Sequence, residues 1–124
     1  MDLELDGQTI TNHAFGYTLL LVTDAGFKLN IQNDCTLHTS TGSWNISPEA
    51  LQAEFDPALR LTNHTISSAT TDQSGTLNIS FTDGHQLTVG PDAEYEAWTL
   101  AGPDGQKVVC LPGGELATWP AETR

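Results

Sequence analysis

Four expected turns share an aspartate followed within one to three residues by a glycine: Asp24-Ala25-Gly26, Asp72-Gln73-Ser74-Gly75, Asp83-Gly84 and Pro103-Asp104-Gly105. An aspartate side chain bonds its own backbone in a turn, and glycine takes a positive φ at little cost. Short elements flank these turns, and only seven residues, 76–82, lie between Gly75 and Asp83. Those elements read as strands. In Thr76-Leu77-Asn78-Ile79-Ser80-Phe81-Thr82 every second residue is apolar, the period of a strand with one wet face. Threonine is the commonest residue, and β-branched side chains favour a pleated, half-buried surface. The expected fold is mainly β, α+β at most, with antiparallel hairpins forming a roll, a sandwich or a partly open barrel.

Side-chain parity fixes the registers. A two-residue loop at Asp83-Gly84 would set Phe81 opposite Gln86 and scramble the apolar face. A three-residue loop, Thr82-Asp83-Gly84, pairs Phe81 with His85, Ile79 with Leu87 and Leu77 with Val89, and it puts Gly84 at the left-handed position of a bulged hairpin. The same logic at Pro103-Asp104-Gly105 pairs Leu100 with Val108 and Trp98 with Cys110. Lys107-Val108-Val109-Cys110-Leu111 is apolar on both parities, which predicts a central strand covered on both sides. A last short strand follows over 115–119.

One helix signal interrupts the strands. Ser47-Pro48-Glu49 supplies an N-cap, a proline at the first helical position and an early acid, predicting a short helix near 48–55 before Asp56-Pro57 stops it. A weak repeat is also visible. Thr11-Asn12-His13 recurs as Thr62-Asn63-His64, and Val22-Thr23-Asp24 through Ile31 resembles Phe81-Thr82-Asp83 through Val89. An old duplication would leave this trace. So would two hairpins converging on one turn chemistry, and the weight falls there. No linker splits the chain, so residues 1–124 are expected to form one domain.

Charge narrows the partners. The formal net charge is −12, with only Lys28, Arg60, Lys107 and Arg124 as bases. Nucleic-acid binding needs cationic side chains on phosphates and is not expected. No apolar run approaches a membrane span. The start Met1-Asp2-Leu3-Glu4 lacks the positive and apolar stretches of a secretory signal, which points to the cytoplasm. Cys35 and Cys110 then read as buried small hydrophobes and not as a disulfide. The Asn-x-Ser/Thr triplets at Asn45, Asn63 and Asn78 carry no weight in that compartment.

The segments Phe81-Thr82-Asp83-Gly84, Tyr95-Glu96-Ala97-Trp98 and Leu111-Pro112-Gly113-Gly114-Glu115-Leu116 resemble an uncharacterised family of small, mainly actinobacterial proteins, with similarity running from about Gly16 to Trp119. The resemblance implies a bacterial, single-domain, β-rich protein, and it transfers no catalytic residue.

Two acidic stripes stand out. Asp2, Glu4 and Asp6 alternate with Leu3 and Leu5, so in a strand the carboxylates share one face. Their spacing also mimics the start of a calcium loop, but the twelfth position is His13 and not the bidentate glutamate such a loop needs. Asp92, Glu94 and Glu96 alternate in the same way and share parity with Trp98. Most weight falls on a solvated, aggregation-blocking edge. A docking surface for a basic protein comes next, and an acid/base pair or weak metal site last. Within the stripe Glu96, set among Tyr95, Ala97 and Trp98, is expected to be partly buried. Of Tyr95 and Trp98, one could be exposed and serve as a binding anchor if they occupy opposite sheet faces.

Catalytic signals are sparse. His13, His38, His64 and His85 show no His-x-x-x-His spacing, and no Cys-x-x-Cys accompanies them. Each reads as a loop or strand-end histidine. Cys35 lacks a feature that would lower its thiol pKa. No Gly-x-Ser-x-Gly or phosphate-loop pattern occurs. No catalytic residue, cofactor or metal is therefore assigned.

The functional expectation is a non-enzymatic acidic binding protein, of immunity or antitoxin type, engaging a basic protein partner through Asp92, Glu94, Glu96 and Trp98. The alternative is a small ligand-binding or hydrolytic β-roll using a carboxylate and a histidine, with Glu96 and His85 as the pair. Action only within a homo-oligomer is the third reading.

Overall fold

The computed structural model describes residues 1–15, 18–47 and 61–121, with only the backbone of Phe15. The predicted helix near 48–55 lies outside the described residues. Within them the chain forms eleven strands: β1 (Ile10–Phe15), β2 (Leu19–Thr23), β3 (Lys28–Ile31), β4 (Cys35–Thr39), β5 (Gly42–Ile46), β6 (Ile66–Thr71), β7 (Leu77–Phe81), β8 (Gln86–Val89), β9 (Trp98–Ala101), β10 (Lys107–Cys110) and β11 (Leu116–Trp119). They make a six-stranded antiparallel sheet in the order β1-β2-β3-β9-β10-β11 and a five-stranded one in the order β5-β4-β8-β7-β6. The sheets do not close into a barrel. No helix among the described residues is long and apolar enough to cross a membrane.

The turns follow the parity argument. Leu77 faces Val89 and Ile79 faces Leu87. The Phe81 N–H donates to the His85 carbonyl (2.9 Å), closing a three-residue loop with Gly84 at φ +93°. Leu100 faces Val108 as expected. Apolar residues at alternate positions of both sheets, among them Leu19, Leu21, Leu37, Leu77, Ile79, Leu87 and Trp98, are buried in one core cluster. β10 lies between β9 and β11, with Val108, Val109 and Cys110 all buried, so the doubly covered strand is present. Cys35 and Cys110 are buried with no disulfide between them, and burial pushes the Cys110 thiol pKa up.

The first acidic stripe is not a strand. Glu4 has φ +58°, a left-handed value that ends regular extension. Residues 1–3 instead run beside β6, with the Leu3 N–H donating to the Ala69 carbonyl and the Thr71 N–H to that of Met1. Leu3 and Leu5 are still buried, and Asp2, Glu4 and Asp6 are exposed.

The sheets are assembled from two interleaved halves. Each half opens with a three-strand meander, β1-β2-β3 or β6-β7-β8, and continues into a hairpin, β4-β5 or β9-β10. Each meander then pairs with the hairpin of the other half, β3 with β9 and β8 with β4. The registers correspond: Ile31 faces Trp98 and Leu29 faces Leu100, while Val89 faces Cys35 and Leu87 faces Leu37. The halves meet at a bridge between Thr9 and Thr65, whose hydroxyls are 2.9 Å apart. On either side of it the Ile10 N–H donates to the His64 carbonyl (2.9 Å) and the Ile66 N–H to the Gln8 carbonyl (2.8 Å). The register of both first strands shifts just after these isoleucines.

The correspondence overturns the repeat alignment read from the sequence. Thr62-Asn63-His64 matches Asp6-Gly7-Gln8, with Asn63 and Gly7 both left-handed at φ +75° and +86°, whereas Thr11-Asn12-His13 sits in or beside the bulge of β1. The hairpins align Thr23, Ala25, Gly26 and Phe27 with Phe81, Asp83, Gly84 and His85. The Thr23 N–H donates to the Phe27 carbonyl as the Phe81 N–H does to that of His85, each at 2.9 Å.

Candidate functional site

Two clusters of polar side chains gather at the ends of the sheets. The first joins His64, just before β6, to Asp83 and His85 in the β7–β8 turn. Backbone bonds pin His64 on both sides. Its N–H donates to the Leu61 carbonyl (3.0 Å) and its own carbonyl accepts from Ile10. The adjoining turn is held by the Thr82 N–H donating to the Thr65 carbonyl (2.9 Å). These contacts set the His64 ring against the β7–β8 turn, edge-on to Phe81 at 6.1 Å and 5.3 Å from the His85 ring.

The Asp83 carboxylate lies between the two imidazoles. Its Oδ2 is 2.7 Å from His64 Nε2, and its Oδ1 is 3.0 Å from His85 Nδ1. Oδ1 also accepts the His85 backbone N–H at 3.0 Å. His85 Nδ1 is close to the carboxylate but out of line for a hydrogen bond, so this shielded nitrogen has no hydrogen-bond partner. The nearest donor atoms of the three side chains all fall within 4.8 Å of one another.

Desolvation works to raise the Asp83 pKa. It is outweighed by the His85 N–H bond, the two imidazole charges and the His64 hydrogen bond, so the pKa sits below the ordinary carboxylate value. A depressed folded value contributes stability that is complete above the unfolded pKa and lost as pH falls through the folded one. The melting temperature of wild type should therefore exceed that of Asp83→Asn at about pH 6, and the gap should narrow below about pH 4. Thermal melts across that range check this; a gap that stays constant would remove the carboxylate from the stability of the turn.

The second cluster is the segment that carries the chain from β8 to β9. It does not form the predicted strand face. Asp92 turns its carboxylate back on the chain, where Oδ1 accepts the N–H groups of Glu94 (2.8 Å) and Tyr95 (3.1 Å). Its carbonyl accepts the Gly113 N–H (2.8 Å). Glu94 and Glu96 are exposed, so the expectation that Glu96 is partly buried fails. A loop held by an aspartate side chain does not alternate in and out as a strand does. Trp98 lies wholly in the core with its Nε1 donating to the Gly75 carbonyl (3.1 Å). It cannot line a surface with the three acids. Tyr95, one residue before Glu96, is instead 71% exposed.

The proposed pair of Glu96 with His85 is not formed, because the carboxylate beside His85 is that of Asp83. His13 and His38 have hydroxyl partners outside the cluster, Thr62 Oγ1 at 2.6 Å and Ser43 Oγ at 2.8 Å. A groove of about 440 Å³ runs past Leu3, Phe27, Lys107, Val108 and Trp119 and is lined by neither cluster. Sequence spacing missed the first cluster because His64 is remote from the turn. The usable signal was Asp83 and His85 flanking one glycine.

A family model described as a family of unknown function, DUF6188, matches residues 1–120. No curated protein matches the chain, and no solved structure does.

Proposed function

The chain belongs to the DUF6188 family of unknown function, and from its own surface we propose that it is a cytoplasmic, non-enzymatic binding protein for a basic protein partner. The bacterial, largely actinobacterial range implied by its sequence motifs stands with this reading. One observation carries it. Tyr95, the most exposed large hydrophobic side chain among the described residues, sits between Glu94 and Glu96 on a loop that Asp92 holds in shape. Tyrosine anchors interfaces well because it offers a large amphipathic surface at a small entropy cost. Flanking carboxylates select a lysine- or arginine-rich counterpart, and the ring face adds cation–π attraction. The net charge of −12 steers such a partner in and speeds encounter.

An immunity or antitoxin role, blocking a basic nuclease or another toxin, is the finer form of this reading. Retention of lysate proteins on immobilised wild type, Tyr95→Ala and the double variant Glu94→Lys with Glu96→Lys tests it at about 50 and 500 mM salt, a span over which screening of exposed charges becomes severe. The expected result is a basic protein retained by wild type at the lower salt, released at the higher, and lost from both variants. Equal retention by all three proteins, or none by wild type at either salt, would overturn the proposal. Light scattering on the same samples reports any self-association.

A further inference from the structure

We propose that His64, Asp83 and His85 form a binding site for one divalent first-row transition ion, of which Zn²⁺ suits the donors best. The site is independent of the Tyr95 surface and does not rest on it. Two imidazoles and a carboxylate are the donor set that such ions prefer, whereas Ca²⁺ and Mg²⁺ seek oxygen ligands throughout.

Three observations converge on the assignment. The first is proximity. Bonds of about 2.0–2.1 Å at tetrahedral angles place neighbouring donors about 3.3 Å apart. His64 Nε2 and His85 Nδ1 already stand 2.7 and 3.0 Å from the two Asp83 oxygens, and the three donor atoms fit within 4.8 Å. These separations are close to those of three donors sharing one ion.

The second is the state of His85 Nδ1. It is shielded from solvent, faces the carboxylate and has no hydrogen-bond partner. A buried polar atom without a partner costs about 1–3 kcal/mol. An ion in the cluster supplies the missing partner.

The third is the contrast between the two halves of the fold. Gln8, Ala25 and Phe27 occupy the places of His64, Asp83 and His85 in the first half, with the same backbone bonds at the turn and at the bridge. The architecture therefore does not require a ligating residue at any of the three places. Only the second half carries all three.

Three protein donors leave a coordination position for water or for a ligand atom, the arrangement of an open metal site and not of a closed structural one.

The full chain, freed of metal by chelation, is titrated with Zn²⁺ by calorimetry and with Co²⁺ by visible absorption. Wild type is expected to take one equivalent of either ion, to show the visible bands of a low-coordinate Co²⁺ site, and to melt at a higher temperature with Zn²⁺ present. The triple variant His64→Gln, Asp83→Ala, His85→Phe copies the side chains of the first half and so keeps the turn foldable. It should bind at least about 100-fold more weakly, given that even outer-shell changes cost 10–100-fold. Its own melt without metal verifies that it is folded. His38→Gln removes a histidine of β4 outside the cluster and should bind as wild type does. No Zn²⁺ binding by wild type, unchanged binding by the folded triple variant, or a loss on His38→Gln equal to that of the triple variant would each overturn the assignment.

Discussion

Gly75→Ala will destabilise the protein by about 2–5 kcal/mol, the sum of two costs of different origin. Gly75 has φ +89°, where a Cβ meets the carbonyl oxygen and costs about 1–2 kcal/mol. The larger part is steric. The added carbon would fall on the main chain of Gly114, with its Cα at 2.7 Å as well as its carbonyl oxygen in contact. The β6–β7 and β10–β11 turns therefore meet backbone to backbone. Neither side can yield by a rotamer change, and forcing a packed region apart typically costs a further 1–3 kcal/mol or so.

Gly84→Ala is the matched control. Its φ is +93°, and nothing lies within 4 Å of the added carbon. It should lose only the conformational part, about 1–2 kcal/mol. In thermal melts the two variants should separate clearly, with Gly75→Ala falling by on the order of 10 °C or more. Equal losses would mean that the approach of the two turns contributes nothing.

The contrast between these glycines shows where sequence reasoning reaches and where it stops. Asp83-Gly84 could be placed in a three-residue loop because Ile79, Phe81, Leu87 and Val89 keep one face only in that register. That is local information, carried by alternation and by the φ that glycine allows. The meeting of Gly75 with Gly114 joins two turns through tertiary packing and leaves no local mark. The pairing of β3 with β9 and of β8 with β4 is likewise long-range, and alternation does not name a partner strand. The repeat was seen but misaligned, because the letters Thr-Asp recur one place out of step with the backbone. Aligned by hydrogen bonds, the halves differ at Gln8, Ala25 and Phe27 against His64, Asp83 and His85, and that difference is the clearest mark of a site in the chain. The acidic stripe failed for a similar reason. Asp92 spends its carboxylate on the Glu94 and Tyr95 N–H groups, which stops the alternation that parity assumed and moves the exposed aromatic from Trp98 to Tyr95.

Trp98→Ala should be the most damaging single truncation, at about 4–8 kcal/mol. Emptying a site of this size costs about 3–5 kcal/mol. The Gly75 carbonyl then loses its 3.1 Å bond from Nε1 and keeps only the weak Cys110 thiol donor at 3.5 Å, a loss of about 1–3 kcal/mol more. That total is comparable with the whole stability of a typical domain, about 5–15 kcal/mol. Urea denaturation should show Trp98→Ala close to unfolded before denaturant is added. Trp98→Phe keeps most of the apolar volume and removes the donor, so it isolates the hydrogen bond at about 2 kcal/mol. Combined with Gly75→Ala, it should cost less than the two single losses added together. Once Nε1 is gone, displacing the Gly75 carbonyl breaks nothing further, and groups sharing one contact couple by about 0.5–3 kcal/mol. Losses that add to within about 0.5 kcal/mol would show that the indole and the turn are independent, and the link between Trp98 and the Gly75–Gly114 contact would have to be abandoned.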